Sequence, residues 1–127
     1  MLGGFVGVTS CEPFEYFSVP YPNDLKVLII FPDVVIKTAE ARKILPQKIT
    51  LTTGIKQAGN IAGLVTGLAT NDYGLIGKSL DDQFGEPYRK NLIPYYDEVK
   101  KLSQEHGSLG FSISGSGPTM FSFFRAN

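Results

Sequence analysis

Three short stretches of the chain carry residue types suited to holding an anion. Ile113-Ser-Gly-Ser-Gly-Pro-Thr119 sets two glycines and two serines between hydrophobic runs. Ser114, Gly115, Ser116 and Gly117 therefore offer backbone N–H groups and hydroxyls with no bulky side chain over them, which close approach of a phosphate or carboxylate requires. No lysine follows the second glycine and the spacing is not G-x-G-x-x-G, so this is neither a P-loop nor a dinucleotide fingerprint. Read alone, it is first a hairpin turn and only second an anion site. Thr38 and Arg42 lie four residues apart on an expected short helix and so share a face, with Arg42 offering a planar fork for a carboxylate or phosphate. Glu86-Pro-Tyr-Arg89 supplies a second arginine beside a proline. Each arginine by itself reads as a solvated surface charge. Two converging on one small acid would form a clamp, and spacing alone does not show convergence.

Other chemistries find little support. His106 has no triad or metal partner nearby and sits at an expected helix C-terminus, where an imidazolium is mildly favourable. Cys11 is the single cysteine and lacks basic neighbours that would lower its pKa. It forms no internal disulfide and no cysteine-cluster metal site. Asp81–Asp82 reads as a solvated turn. Twelve basic residues balance twelve acidic ones, which offers no footprint for nucleic acid or an anionic membrane. The longest apolar run, Val27–Phe31, is far short of a membrane span, and residues 1–12 show no export signal. A cytoplasmic location is expected. With 127 residues, 43% hydrophobic and 19% charged, the composition is that of one globular domain.

The elements that must position these residues follow from pattern. Residues 4–9 and 14–19 predict two short strands about a turn at Cys11–Pro13, and Pro20–Asp24 breaks the pattern. Leu25–Phe31, apolar on both faces, predicts a buried central strand. Thr38–Leu45 predicts a short helix with Thr38 as N-cap, stopped by Pro46. A long helix is expected over Leu51–Thr70, its apolar half formed by Ile55, Ala58, Ile61, Ala62, Leu64, Val65, Leu68 and Ala69. Gly59, Gly63 and Gly67 form a separate ridge, either closely approached by a second surface or simply tolerated. Tyr73–Leu80 predicts a short helix. Pro94–His106 predicts another with Gly107 as its C-terminal cap and Tyr95, Val99, Leu102 and His106 on one face. Strands over Leu109–Ser114 and Thr119–Phe124 finish the chain. Strands, then helices, then strands predict an α+β fold with a largely antiparallel sheet.

In this order the pieces resemble the homoserine kinase branch of the GHMP family of small-molecule kinases. The resemblance rests on Leu2-Gly-Gly-Phe5, Thr38-Ala-Glu-Ala-Arg42 running into Ile44-Leu-Pro46, Glu86-Pro-Tyr-Arg89 followed by Leu92-Ile-Pro94, and Ile113–Thr119. It implies a ferredoxin-like GHMP C-terminal domain over 25–127, preceded by a leading hairpin and junction segment over 1–24. It also implies transfer of the ATP γ-phosphoryl group to the hydroxyl of L-homoserine, a step towards threonine, with Mg²⁺ in the full-length enzyme. Arg42 and Arg89 match family arginines that hold the amino acid's carboxylate. Gly115 matches the glycine lying against substrate and phosphate, and Thr38 faces the same cleft. The family's Gly/Ser-rich ATP-phosphate loop, of PxxxGLGSS type, is not found in these 127 residues, and the family usually continues past the last strand here through another helix and strand. The expectation is therefore a C-terminal part, inactive alone, binding neither ATP nor Mg²⁺ by itself and self-associating as a homodimer. Phe121, Phe123 and Phe124 would be left without cover. The alternatives are another GHMP kinase, acting on mevalonate or a sugar, and a non-catalytic amino-acid-binding module. The arginine pair discriminates against a neutral sugar.

Overall fold

The computed structural model describes residues 2–127. Its first unit is a hairpin of β1 (Phe5–Cys11) and β2 (Phe14–Val19), with a register shift between Val8 and Ser10. Gly7 faces Phe17 across the pair, and a Cβ on Gly7 would lie 2.1 Å from the Phe17 ring, so the aromatic ring covers the glycine.

The second unit is a three-stranded antiparallel sheet of β3 (Leu25–Ile30), β5 (Met120–Arg125) and β4 (Gly110–Ile113), in that order. This corrects the expectation of a buried central strand at Leu25–Phe31. β3 is an edge, with Val27 47% and Ile29 58% exposed, and β5 is the centre. Apolar content on both faces reports hydrophobicity, not the number of neighbours a strand has. Alternation along β5 sends Met120 and Phe123 to opposite faces. Met120 joins Ile93, Tyr96, Phe111 and Ile113 in one core, and Phe123 joins Val19, Leu68 and Ile76 in another. Phe123 is thus buried and Phe121 and Phe124 are half-buried, against the expectation that all three lack cover.

Between β3 and β4 run five α-helices. α1 is Thr38–Lys43, α2 Leu51–Thr70, α3 Tyr73–Ser79, α4 Glu86–Arg89, followed by a 3-10 turn at Lys90–Leu92, and α5 is Tyr96–Glu105. Thr50 caps α2, its side chain accepting from the Thr53 N–H, and Asn71 ends it in the left-handed region at φ 57°. The glycine ridge divides in two. Gly63 and Gly67 lie under α3, where added Cβ atoms would meet Ser79 Oγ at 2.3 Å and Ile76 N at 2.9 Å, whereas Gly59 faces open space. The expected apolar half of α2 is covered only in part, since Ile55 and Ile61 are more than half exposed.

Two helix starts differ from expectation. Thr38 is the first helical residue of α1, behind an N-cap at Lys37 that makes no side-chain cap. α5 begins at Tyr96 because Tyr95 sits at φ 59°, so Pro94 lies in the preceding turn. The offset rotates the buried face to Tyr96, Val99 and Ser103 and leaves Tyr95 and Leu102 exposed. Beneath α5, Ser122 is fully buried, with its hydroxyl 2.7 Å from Ser103 Oγ and 2.5 Å from Ser108 Oγ, and it donates to the Gly110 carbonyl. Among the described residues no helix is long and apolar enough to cross a membrane.

Candidate functional site

α4 is only four residues long and would not persist alone, so its neighbours must hold it. Asp82 does so at the N-terminus. Its Oδ1 accepts from the Phe84 N–H at 2.8 Å, and its Oδ2 accepts from Gly85 at 3.0 Å and Glu86 at 2.8 Å. The expectation of a solvated turn at Asp81–Asp82 is therefore corrected for Asp82, which satisfies the free N–H groups at the start of the helix. Gln57 of α2 donates to the same carboxylate and accepts from the Gln83 N–H at 2.8 Å.

Arg89 ends α4 and reaches two distant segments. Its Nε donates to the Ala41 carbonyl of α1 at 3.0 Å, and its Nη1 to the Gly115 carbonyl at 3.3 Å. The guanidinium thus joins the Thr38–Arg42 helix to the Gly/Ser loop. Its remaining N–H groups have no acceptor among the described residues. Ala41 is fully buried, which fixes α1 against this corner. Arg42 and Thr38, its neighbours on α1, are exposed. Arg89, Gly115 and α1 therefore meet, while the Arg42 guanidinium makes no hydrogen bond or ion pair among the described residues.

The loop after β4 is a tight turn. The Ser114 N–H donates to the Thr119 carbonyl at 2.8 Å and the Gly117 N–H to the Ser114 carbonyl at 3.0 Å. Gly115 at φ 58° followed by a residue of negative φ has the form of a type II′ turn, which favours glycine at this position. Gly117 also needs its positive φ of 78°, and a Cβ there would press on Ile93 Cδ1 at 3.2 Å. Two loop N–H groups are thus spent within the turn. Those of Gly115 and Ser116 donate to no backbone carbonyl among the described residues, and a Cβ at Gly115 would meet nothing within 4 Å. Ser114 and Gly115 are exposed, and Ser116 and Gly117 half-buried.

Sequence reasoning passes over Glu86 as a functional residue, treating it only as part of the arginine's segment. It is 6% exposed, and both carboxylate oxygens are engaged. Tyr96 donates its hydroxyl to Oε1, Lys100 Nζ lies 2.8 Å from the same oxygen, and Ser112 donates to Oε2 at 3.2 Å. The available signal is an acid followed by proline at the start of a helix, which marks the first turn but not the burial.

A separate polar cluster closes the far end of the sheet. Asp24 accepts from the Tyr73 hydroxyl and from Arg125 Nε at 3.0 Å, and the Arg125 guanidinium stacks 4.4 Å from the Tyr73 ring centre. The Tyr73 hydrogen bond, then Arg125, holds the Asp24 carboxyl below the usual range, and the same bond raises the Tyr73 phenol.

The family model "GHMP kinases C terminal" matches residues 64–127. A homoserine kinase from Chlorobium phaeobacteroides (strain BS1) is 44% identical over 97% of this chain and 38% of its own length. One from Thermococcus gammatolerans is 41% identical over 94% of this chain and 40% of its own length. The crystal structure of homoserine kinase from Cytophaga hutchinsonii aligns at TM-score 0.95 with 46% identity, over 98% of this chain and 40% of that one. The chain thus spans about two-fifths of the length of the relatives it matches. The α+β architecture, antiparallel sheets packed on helices, is that of the matched kinase structure. By the match over residues 64–127, the chain belongs to the GHMP kinase family and carries that family's C-terminal domain.

Proposed function

We propose that this chain is the substrate-side part of a homoserine kinase, a cytoplasmic enzyme of threonine biosynthesis that transfers the ATP γ-phosphoryl group to the hydroxyl of L-homoserine. The observation that carries this reading is the Arg89 guanidinium, which ties α1 to the Gly115 loop and keeps part of its fork unsatisfied. A planar fork suits an amino-acid carboxylate, and Arg42 on the adjoining helix supplies a second one. Thr38 shares that helix face. The N–H groups of Gly115 and Ser116, which donate to no backbone carbonyl among the described residues, are assigned in this reading to the transferring phosphoryl group, and phosphoryl transfer depends mainly on positioning and charge stabilisation. Relatives that are homoserine kinases support homoserine over mevalonate or a sugar, and a carboxylate clamp argues further against a neutral sugar, though not against mevalonate, which is itself a carboxylate.

Among the described residues no group of three or more His, Cys, Asp or Glu is placed to hold a metal ion. We propose separately that the chain by itself binds neither the ATP nor the Mg²⁺ that the reaction needs and is inactive alone. The test is a coupled assay of the intact gene product carrying this chain, with ATP, Mg²⁺ and in turn L-homoserine, mevalonate and galactose. Turnover dependent on L-homoserine alone is the expected result, and turnover on mevalonate or galactose in its place would overturn the reading.

A further inference from the structure

Two contacts and two short stretches of chain form a closed circuit through Glu86. From Glu86, one turn of α4 leads to Arg89, whose Nη1 donates to the Gly115 carbonyl. From Gly115 the chain runs back to Ser112, whose hydroxyl donates to Glu86 Oε2 at 3.2 Å. Tyr96 and Lys100 of α5 hold the other carboxylate oxygen, so the carboxylate cannot turn without breaking contacts on two elements. The anion-binding fork and the Gly/Ser loop are thereby tied at both ends, through Arg89–Gly115 on the open side and Glu86–Ser112 within the core. Gly85 completes the fit, because a Cβ there would lie 3.3 Å from Arg89 Nη1 and 3.0 Å from Asp82 Oδ2.

Stability alone is a poor reason for this arrangement. Taking a carboxylate out of water is costly, and apolar residues of similar volume often replace buried ion pairs without loss. What an apolar residue would not supply is a directional link from α4 to β4 immediately before the loop.

We propose that Glu86 is a positioning residue, which fixes the Arg89 guanidinium relative to the Ser114–Pro118 loop and so sets affinity for the substrate carboxylate. The proposal rests on the homoserine kinase reading above. Small displacements of a substrate-holding group are enough to matter, since about 1 Å can cost on the order of a hundredfold in rate.

The experiment is a double-mutant cycle in the intact gene product. Glu86→Gln and Ser112→Ala are each made in the natural background and in Arg89→Lys, which keeps the charge but loses the fork. L-homoserine KM, ATP KM, kcat and Tm are measured for each. In the natural background, Glu86→Gln is expected to raise the L-homoserine KM by on the order of tenfold, with the ATP KM within about twofold. In the Arg89→Lys background the same change lowers Tm again but adds no further rise in KM. Ser112→Ala, which severs only the link to β4, gives a smaller rise with the same dependence on Arg89, and carries the test should Glu86→Gln fail to fold. A KM penalty that multiplies in full across both backgrounds, or a fall in Tm with KM unchanged, overturns the positioning role. Wild-type protein with no L-homoserine-dependent turnover overturns the functional reading itself. Wild-type turnover that responds to Arg89→Lys but not to Glu86→Gln leaves that reading standing and removes only this one.

Discussion

The three glycines spaced four apart on α2 should respond to alanine in a graded way set by what lies above each. At Gly67 the new Cβ would stand 2.9 Å from Ile76 N, 3.0 Å from Ile76 Cγ1 and 3.2 Å from Asp72 O. Ile76 N is already hydrogen-bonded to Asp72 O, so the obstacle is the backbone of the first turn of α3 and cannot swing aside. Overpacking of this kind costs about 1–3 kcal/mol, against about 1 kcal/mol gained from replacing glycine inside a helix. Because the obstacle is backbone, the upper part of that range applies, about 2–3 kcal/mol, and the net loss is about 1–2 kcal/mol. At Gly63 the nearest atom is the Ser79 hydroxyl at 2.3 Å, which can rotate, so gain and loss should roughly cancel. At Gly59 nothing lies within 4 Å, and the propensity gain of about 1 kcal/mol should appear unopposed. For a chain of 127 residues an unfolding entropy of about 2.1 cal/mol/K per residue makes 1 kcal/mol worth about 4 °C in Tm. Calorimetric melting of the purified chain should therefore show Gly59→Ala about 4 °C up, Gly63→Ala near the parent, and Gly67→Ala about 4–8 °C down. Three equal shifts of the same sign would refute the view that α3 packs onto one end of this ridge.

On the homoserine kinase reading proposed above, Arg89→Ala in the intact gene product should weaken L-homoserine use by about 2–5 kcal/mol, the cost of truncating one partner of a charge-assisted contact that bound substrate would bury, read as kcat/KM. Arg42→Ala, on an exposed residue, should cost less. Asp24 is held below its ordinary pKa, so its contribution to stability is present above the unfolded carboxylate range and is lost as pH falls through the lower folded value. Tyr73 is raised, so its share is present below the unfolded phenol range and is lost as pH rises through the higher folded value. Asp24→Asn should flatten both limbs of a Tm-against-pH curve, and unchanged limbs would contradict the Asp24–Tyr73 pairing. The free edge of β3, with Leu28 49% and Phe31 75% exposed beside it, should drive the isolated chain to associate. Light scattering across a dilution series should show a dimer, and a monomer at micromolar concentration would show that this edge is not adhesive.

Much of the fold is legible in the sequence where the deciding forces are local. α2 is foreseen over its full length because a 3.6-residue period and the Asn71 break both act within one stretch. The hairpin and the two closing strands are visible for the same reason. What escapes is decided from afar. The place of β3 at an edge depends on β5, and nothing within Leu25–Ile30 reports how many strands flank it. The start of α5 turns on Tyr95 adopting φ 59°, a conformation rare for a bulky residue and without a sequence signal. At the site, the Gly115 turn and both arginine segments are visible from residue type and spacing. The burial of Glu86 is not, since it follows from the meeting of α4, α5 and β4.

The strand order also governs when the sheet can form. β5 pairs with β3 from Leu25↔Arg125 to Ile30↔Met120, and with β4 from Gly110↔Phe123 to Ile113↔Met120. As the chain is synthesised, both outer strands are complete before their shared partner exists, and the Asp24–Arg125 bond that closes the end spans 101 residues. Closing so large a loop carries an entropic cost that helices and hairpin avoid, and it is recovered only once the strand pairs along its length. The helices and the leading hairpin can therefore gain local structure early, while the three-stranded sheet waits for the last strand. A ribosome-bound chain halted before Met120 would expose the apolar residues of β3 and β4 together, and those are the segments on which a chaperone would be expected to act.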